Sequence, residues 1–195
     1  MSLEYAILGL LDVVPMTGYD LKTRYFDKTV AYFWPADKAQ IYRTLDKMAE
    51  AGWVAVRLEI QTERPNRKVY SITPLGQTEL QAWLSAYHPS PVSREPFLVQ
   101  LFFADQLPNE TLFRLIETQI EVHQAILQSY NQIDLPPLSA LNGSRELSLR
   151  RLTLELGIAT EQTVLEWLKQ TRQVIEELGA LTKNETEAKN MATSD

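Results

Sequence analysis

The sequence contains no cysteine. That absence excludes a disulfide framework, a thiol nucleophile and any cysteine-ligated zinc site. Histidine is scarce as well. His88 and His123 are the only two, and their separation fits no metal-binding spacing. The 7 glycines are scattered, which leaves no glycine-rich loop to cradle a phosphate. Long apolar runs are missing too. Tyr5 to Pro15 is apolar but only about half a membrane span long, and it follows Glu4 rather than a basic stretch. No nucleophile–base pattern stands out. The expectation is therefore a cytoplasmic protein that is not an enzyme, with no cofactor, no metal and no membrane partner.

What is present is a substantial apolar fraction. Hydrophobic residues make up 45% of 195, enough for a packed core in one large domain or two small ones. Taken as a single sum, the formal charge of −6 argues against a nucleic-acid partner, because phosphate attracts cations. The sum conceals a division. Residues 1–90 hold ten Lys/Arg against ten Asp/Glu, and residues 91–195 hold nine against fifteen. All the excess acid lies in the second half, and Arg57, Arg64, Arg67 and Lys68 crowd into twelve residues of the first.

The order of elements in the first half is informative. Leu3 to Val14 is apolar nearly all round, as expected for a helix buried on several sides, and Pro15 ends it. Thr17-Gly18-Tyr19-Asp20 reads as a capped helix start. A third helix is expected from about Asp37 to Ala51, with Ile41, Leu45 and Met48 on its inner face and Gly52 as its left-handed stop. The period then changes to two. Val54, Val56, Leu58 and Ile60 alternate with polar residues as in a half-buried strand, and Lys68 to Thr73 supplies a second strand after a basic turn. Thr73-Pro74 starts a closing helix to about Tyr87. Three prolines in His88–Pro96 then forbid a continuous helix.

Three helices, a basic hairpin and a closing helix make the winged helix-turn-helix plan. The outer face of its third helix suits a major groove, with Gln40 and Arg43 as base-reading types and Lys38, Tyr42 and Lys47 beside them. Arg64, Arg67 and Lys68 form the wing that would lie over the backbone or minor groove as an electrostatic clamp. Taken singly, Gln40, Arg43 and Lys47 are also what an ordinary solvated helix face carries, and Tyr42 suits packing against the wing. The order of elements and the placing of the basic residues together favour DNA. The competing reading is a winged-helix protein-interaction module that does not bind DNA directly.

Several motifs in register resemble PadR-type transcriptional regulators. They are Leu3-Glu4-Tyr5-Ala6-Ile7-Leu8-Gly9-Leu10-Leu11, Thr17-Gly18-Tyr19-Asp20-Leu21, Phe33-Trp34-Pro35, Gln40-Ile41-Tyr42, Ala51-Gly52 and Arg67-Lys68-Val69-Tyr70-Ser71-Ile72-Thr73. The segment from Arg94 to Phe103 resembles the longer subfamily, whose helical C-terminal domain is also seen in virulence-gene activators. The resemblance implies a mainly α protein, a winged-helix domain over 1–88, a proline-rich linker over 89–96 and a helical dimerisation domain over 97–182. Residues 183–195 are expected to be a disordered tail. It further implies a homodimeric repressor on a pseudo-palindromic DNA operator, with a small-molecule effector.

The sequence offers candidates for both of the remaining sites. Leu3, Ile7, Leu154, Ile158, Leu165, Leu168 and Ile175 are expected at the dimer interface, because the long last helix carries more apolar surface than its own domain can cover. Trp83, Phe97, Phe102, Phe103, Tyr130 and Trp167 are the candidate effector-pocket residues, although aromatics at helical spacing are more often core. His123, on an apolar helix face, reads as a hydrogen-bonded core or interface histidine.

Overall fold

The computed structural model describes residues 3–60, 66–90 and 93–192, with side chains as far as residue 179. The chain divides into two compact units, Met1–Pro91 and Val92–Asp195, so the division falls within the proline-rich segment.

In the first unit, α1 (Leu3–Val13) buries Ile7, Leu8 and Leu11. A short strand β1 (Met16–Thr17) leads into α2 (Gly18–Asp20), which continues as a π-helical stretch, Leu21–Phe26. The recognition-type helix α3 (Lys38–Glu50) follows, then β2 (Val54–Glu59), β3 (Arg67–Ile72) and α4 (Pro74–Ser85). The strands form one antiparallel sheet in the order β1-β3-β2. Thr17 therefore serves twice, as helix cap and as a strand residue opposite Val69. The core gathers Ile7, Leu8, Leu21, Phe26, Ile41, Leu45, Met48 and Tyr70. Burying one such side chain fully contributes about 1.5–3 kcal/mol.

Two expectations for this unit need correction. The strand β2 is not half-buried along its length. Val54 is covered, but Val56, Leu58 and Ile60 are exposed, Ile60 to 84%. Beyond Val54 the strand β2 is open to solvent although Tyr70, opposite Val56 on β3, stays in the core, and alternation alone does not reveal whether anything packs on a strand's apolar face. Ile7 is not an interface residue either. It is completely buried in the core of its own unit, while Leu3 is partly buried at the rim of that core.

Every regular element among the described residues of the second unit is helical. Pro96–Phe102 forms α5, with Pro96 in its first turn. A 3-10 turn (Ala104–Gln106) leads into α6 (Asn109–Asn131). Asn142 and Gly143 take positive φ of 48° and 76° just before α7 (Arg145–Ala192). The backbone of α7 is helical as far as Ala192, and residues 193–195 of the expected tail lie outside the described residues.

Packing of α6 against α7 builds this unit. Leu112, Ile116 and Tyr130 on α6 meet the face of α7 that carries Leu154, Leu165 and Leu168, all buried. Gly157 lets Tyr130 lie close, since a Cβ there would stand 3.0 Å from the ring. His123 Nδ1 and Glu161 Oε2 are joined by a hydrogen bond across the same seam. Arg172 reaches from α7 to Glu117 at 3.1 Å and stacks its guanidinium 5.6 Å from the Phe113 ring centre.

Candidate nucleic-acid interface

Helix α3 is fixed at both ends and in the middle, which determines where its outer face points. At its start Asp37 is the N-cap. Its carboxylate accepts from the Gln40 amide N–H at 2.7 Å, and its own N–H donates to Gln40 Oε1 at 2.9 Å. Near the middle, Tyr42 packs over Gly18, where a Cβ would stand 2.8 Å from the ring. At the end, Gly52 turns the chain with φ 73°, and the Trp53 N–H donates back to Met48 at 2.9 Å. The Thr73 hydroxyl then donates to the Gly52 carbonyl at 2.7 Å and accepts from the Gly76 N–H at 3.1 Å, tying the end of α3 to the start of α4.

With Ile41, Leu45 and Met48 locked inward, the opposite face is set. Gln40, Arg43 and Lys47 follow one another at three- and four-residue spacing on the exposed side. Lys38 is exposed in the first turn. Tyr42 is half-buried and packs over Gly18 of α2. Asp46 and Glu50 are exposed further along, so the cationic part of the helix is its first two turns and Lys47. The capping bond was not foreseen for Gln40. Its oxygen is engaged with the backbone, leaving the Nε2 donors as the end available to a ligand.

The wing supplies the second cationic element. Arg67 and Lys68 lie at the outer end of β3, both exposed. Arg64 lies outside the described residues. Arg67 is not a bare cation: Glu59, directly opposite it in the hairpin, accepts from Arg67 Nε at 2.7 Å and from Arg57 Nη2 at 2.8 Å. At the inner edge of the sheet the Thr17 hydroxyl donates to Asp20 at 2.7 Å. That bond leads the causes that hold the Asp20 carboxyl below the usual range, followed by the Thr17 N–H and the fields of Arg24 and Arg67, all acting against its partial burial. Burial pushes the Tyr70 phenol up, with Asp46 and Tyr42 adding to the effect.

The other predicted residues fall into separate settings. Trp83 belongs to the first unit, where it stacks on Tyr5 at 4.8 Å and on His88 at 4.4 Å. Phe97 meets Trp167 edge-on at 6.2 Å, and Phe102 meets Phe103 edge-on at 4.9 Å with both rings exposed. Tyr130 is buried over Gly157. Of the expected interface residues on α7, Leu154, Leu165 and Leu168 are covered within this chain, while Ile158 and Ile175 are partly covered. Exposed apolar residues of α7 include Leu149, Leu152, Leu156, Trp167, Val174 and Leu178, which lie on the opposite side of the helix at 100° per residue. The stripe read from the sequence, Leu154 to Ile175, is the face turned toward α6, because hydrophobicity alone does not separate burial within the chain from burial against a partner.

Among the described residues, no group of three or more His, Asp or Glu is placed to hold a metal ion. No helix among them is long and apolar enough to cross a membrane.

Comparison with known proteins agrees across both units. The profile described as the transcriptional regulator PadR-like family matches residues 7–82, and the one described as virulence activator alpha C-term matches residues 93–176. The chain is 30% identical over 179 residues to the negative transcriptional regulator PadR of Bacillus subtilis, covering 89% of this chain and 97% of that one. The crystal structure of that regulator in complex with operator DNA superimposes with a TM-score of 0.79 at 28% identity, covering 90% of this chain and 99% of the other. Its complex with p-coumaric acid gives 0.74 at 28% identity, with the same coverage. The virulence activator AphA of Vibrio cholerae gives 0.69 at 30% identity, covering 92% of this chain and 99% of the other.

Proposed function

The chain belongs to the PadR-like family of transcriptional regulators, and we propose that it is a dimeric repressor that binds a pseudo-palindromic DNA operator and is released by a small aromatic ligand. The observation that carries the reading is the exposed row Gln40, Arg43 and Lys47, held rigid by the opposite face of α3 in the core, together with the cations of the wing. Rigid placement matters because base recognition needs donors fixed against the groove before binding. Two copies related by a two-fold axis reach two half-sites, which matches a palindromic operator to the symmetry of the protein.

A partner copy finds its surface on the outer side of α7, at Leu149, Leu152, Leu156 and Val174. For the ligand, the support is the p-coumaric acid complex of the Bacillus subtilis relative. In this chain the Phe97–Trp167 pair is the aromatic contact suited to stacking on such a molecule. The cytoplasm is the compartment this role implies.

Footprinting on DNA upstream of the chain's own gene tests the proposal. It should give two protected half-sites about one helical turn apart, or a multiple of that. Adding p-coumaric acid and related phenolic acids should remove the protection. Replacing Leu152 and Leu156 together by Glu should shift the protein to monomer and abolish paired protection. A single unpaired footprint, or protection indifferent to that double variant, would refute the two-fold reading.

A further inference from the structure

The wing is less cationic than its sequence suggests, and one carboxylate is responsible. Glu59 ends β2 and stands opposite Arg67 in the register of the hairpin. Its two oxygens are shared out, Oε1 to Arg57 at 2.8 Å and Oε2 to Arg67 at 2.7 Å. Both guanidiniums remain open to solvent, at 75% and 52% of the side chain, while the Glu59 side chain is 29% exposed. The same groups line a shallow cleft with Asp20, Thr17 and Val69, so Arg67 lies in the field of a second carboxylate at the start of α2.

We propose that Glu59 is a specificity-determining residue that restrains the wing from gripping DNA of any sequence. This rests on the DNA-binding reading above. Phosphate contacts supply affinity without sequence information, so every uncompensated wing cation strengthens binding to operator and to unrelated DNA alike. A phosphate approaching Arg57 or Arg67 also approaches Glu59, and the like charges repel. Each guanidinium nevertheless spends one donor on Glu59 and keeps its others. The pair can therefore bond a phosphate only along the directions that Glu59 leaves open. At the operator, where α3 fixes the register, phosphates meet those directions. On unrelated DNA they meet them rarely, and the repulsion is not offset.

Glu59→Gln tests this. The amide is isosteric and can accept from one arginine, but it removes the negative charge. Binding to a random-sequence duplex and to the footprinted operator would be measured across a salt series, with the melting temperature checking the fold. For the random duplex, the slope of log K against log salt should steepen by about one unit, and affinity near 0.1 M salt should rise roughly five- to tenfold. Operator affinity should rise less, so that the ratio of the two falls. The double variant Glu59→Gln/Arg57→Gln restores the net charge and should return the slope for the random duplex to that of the unmodified protein. An unchanged slope and affinity for random DNA in Glu59→Gln would overturn the proposal, as would weaker binding to both duplexes. If the unmodified protein showed no salt-dependent DNA binding, the DNA-binding reading itself would fail, an outcome separate from these.

Discussion

His123 on α6 and Glu161 on α7 are hydrogen-bonded to one another inside the seam between the two long helices, with Glu161 only 9% exposed. A carboxylate this well covered needs its partner. His123→Ala should therefore destabilise the protein by about 1–3 kcal/mol, the usual cost of leaving a buried polar group unsatisfied. Glu161→Gln, which keeps an acceptor for the ring N–H, should lose less. Urea denaturation followed by far-UV circular dichroism measures both. Equal midpoints for His123→Ala and the unmodified protein would show that water satisfies Glu161.

Asp20 predicts an acid limb in the stability profile. Its carboxyl is held below the ordinary range chiefly by the Thr17 hydroxyl. A carboxyl depressed in the folded state contributes stability above its unfolded pKa and loses it as pH falls through the folded value. That window lies below about pH 4. Asp20→Asn should be less stable near neutral pH and show a flatter profile below pH 4. Thr17→Val should move the acid loss to higher pH. Thermal midpoints collected between pH 2 and 7 decide it, and parallel profiles for all three proteins would contradict the assignment.

The glycines at 76 and 18 guard the setting of α3 in different ways. A Cβ on Gly76 would stand 2.2 Å from the backbone oxygen of Trp53, which cannot move without displacing the end of α3. Gly76→Ala should cost at least the roughly 1–3 kcal/mol of ordinary overpacking. At Gly18 the obstacle is the Tyr42 ring, which can turn. Gly18→Ala should therefore lower the melting temperature less than Gly76→Ala does, yet still weaken operator binding by shifting α3. Calorimetry paired with an operator titration separates the two effects.

Gln40 carries two roles that substitution can divide. Gln40→Glu retains an acceptor for the Asp37 N–H, so the capping box and the melting temperature should survive. Its added negative charge faces DNA, and operator affinity should fall by about tenfold or more. Asp37→Ala does the opposite, removing about 1 kcal/mol of cap stability without placing new charge on the face. If Gln40→Glu bound the operator normally, Gln40 would be a capping residue alone.

Local rules made most of the first unit legible. The Thr17–Asp20 and Thr73–Pro74 helix starts, the Gly52 stop and the inward row Ile41, Leu45 and Met48 each follow from the chemistry of a few neighbouring residues. What stayed hidden depends on distant partners. The strand Met16–Thr17 is too short to show a period and exists because β3 lies beside it. Val56 and Leu58 alternate like buried residues but are exposed. Leu154 and Leu156 are equally apolar, and only the position of α6 makes one core and the other surface. At the candidate site, the row on α3 could be read from spacing. The pairing of Arg57 and Arg67 with Glu59 depends on hairpin register, which the sequence left unspecified.

The central claim is that α3 and the wing form a DNA-binding face. Its most direct test is the salt dependence of affinity for the upstream promoter fragment, measured by fluorescence anisotropy for the unmodified protein and for Arg67→Ala/Lys68→Ala. The account predicts that log K falls linearly with log salt in the unmodified protein, and that the slope is shallower by up to about two units in the double variant. Affinity that does not respond to salt, or identical slopes for the two proteins, would contradict it.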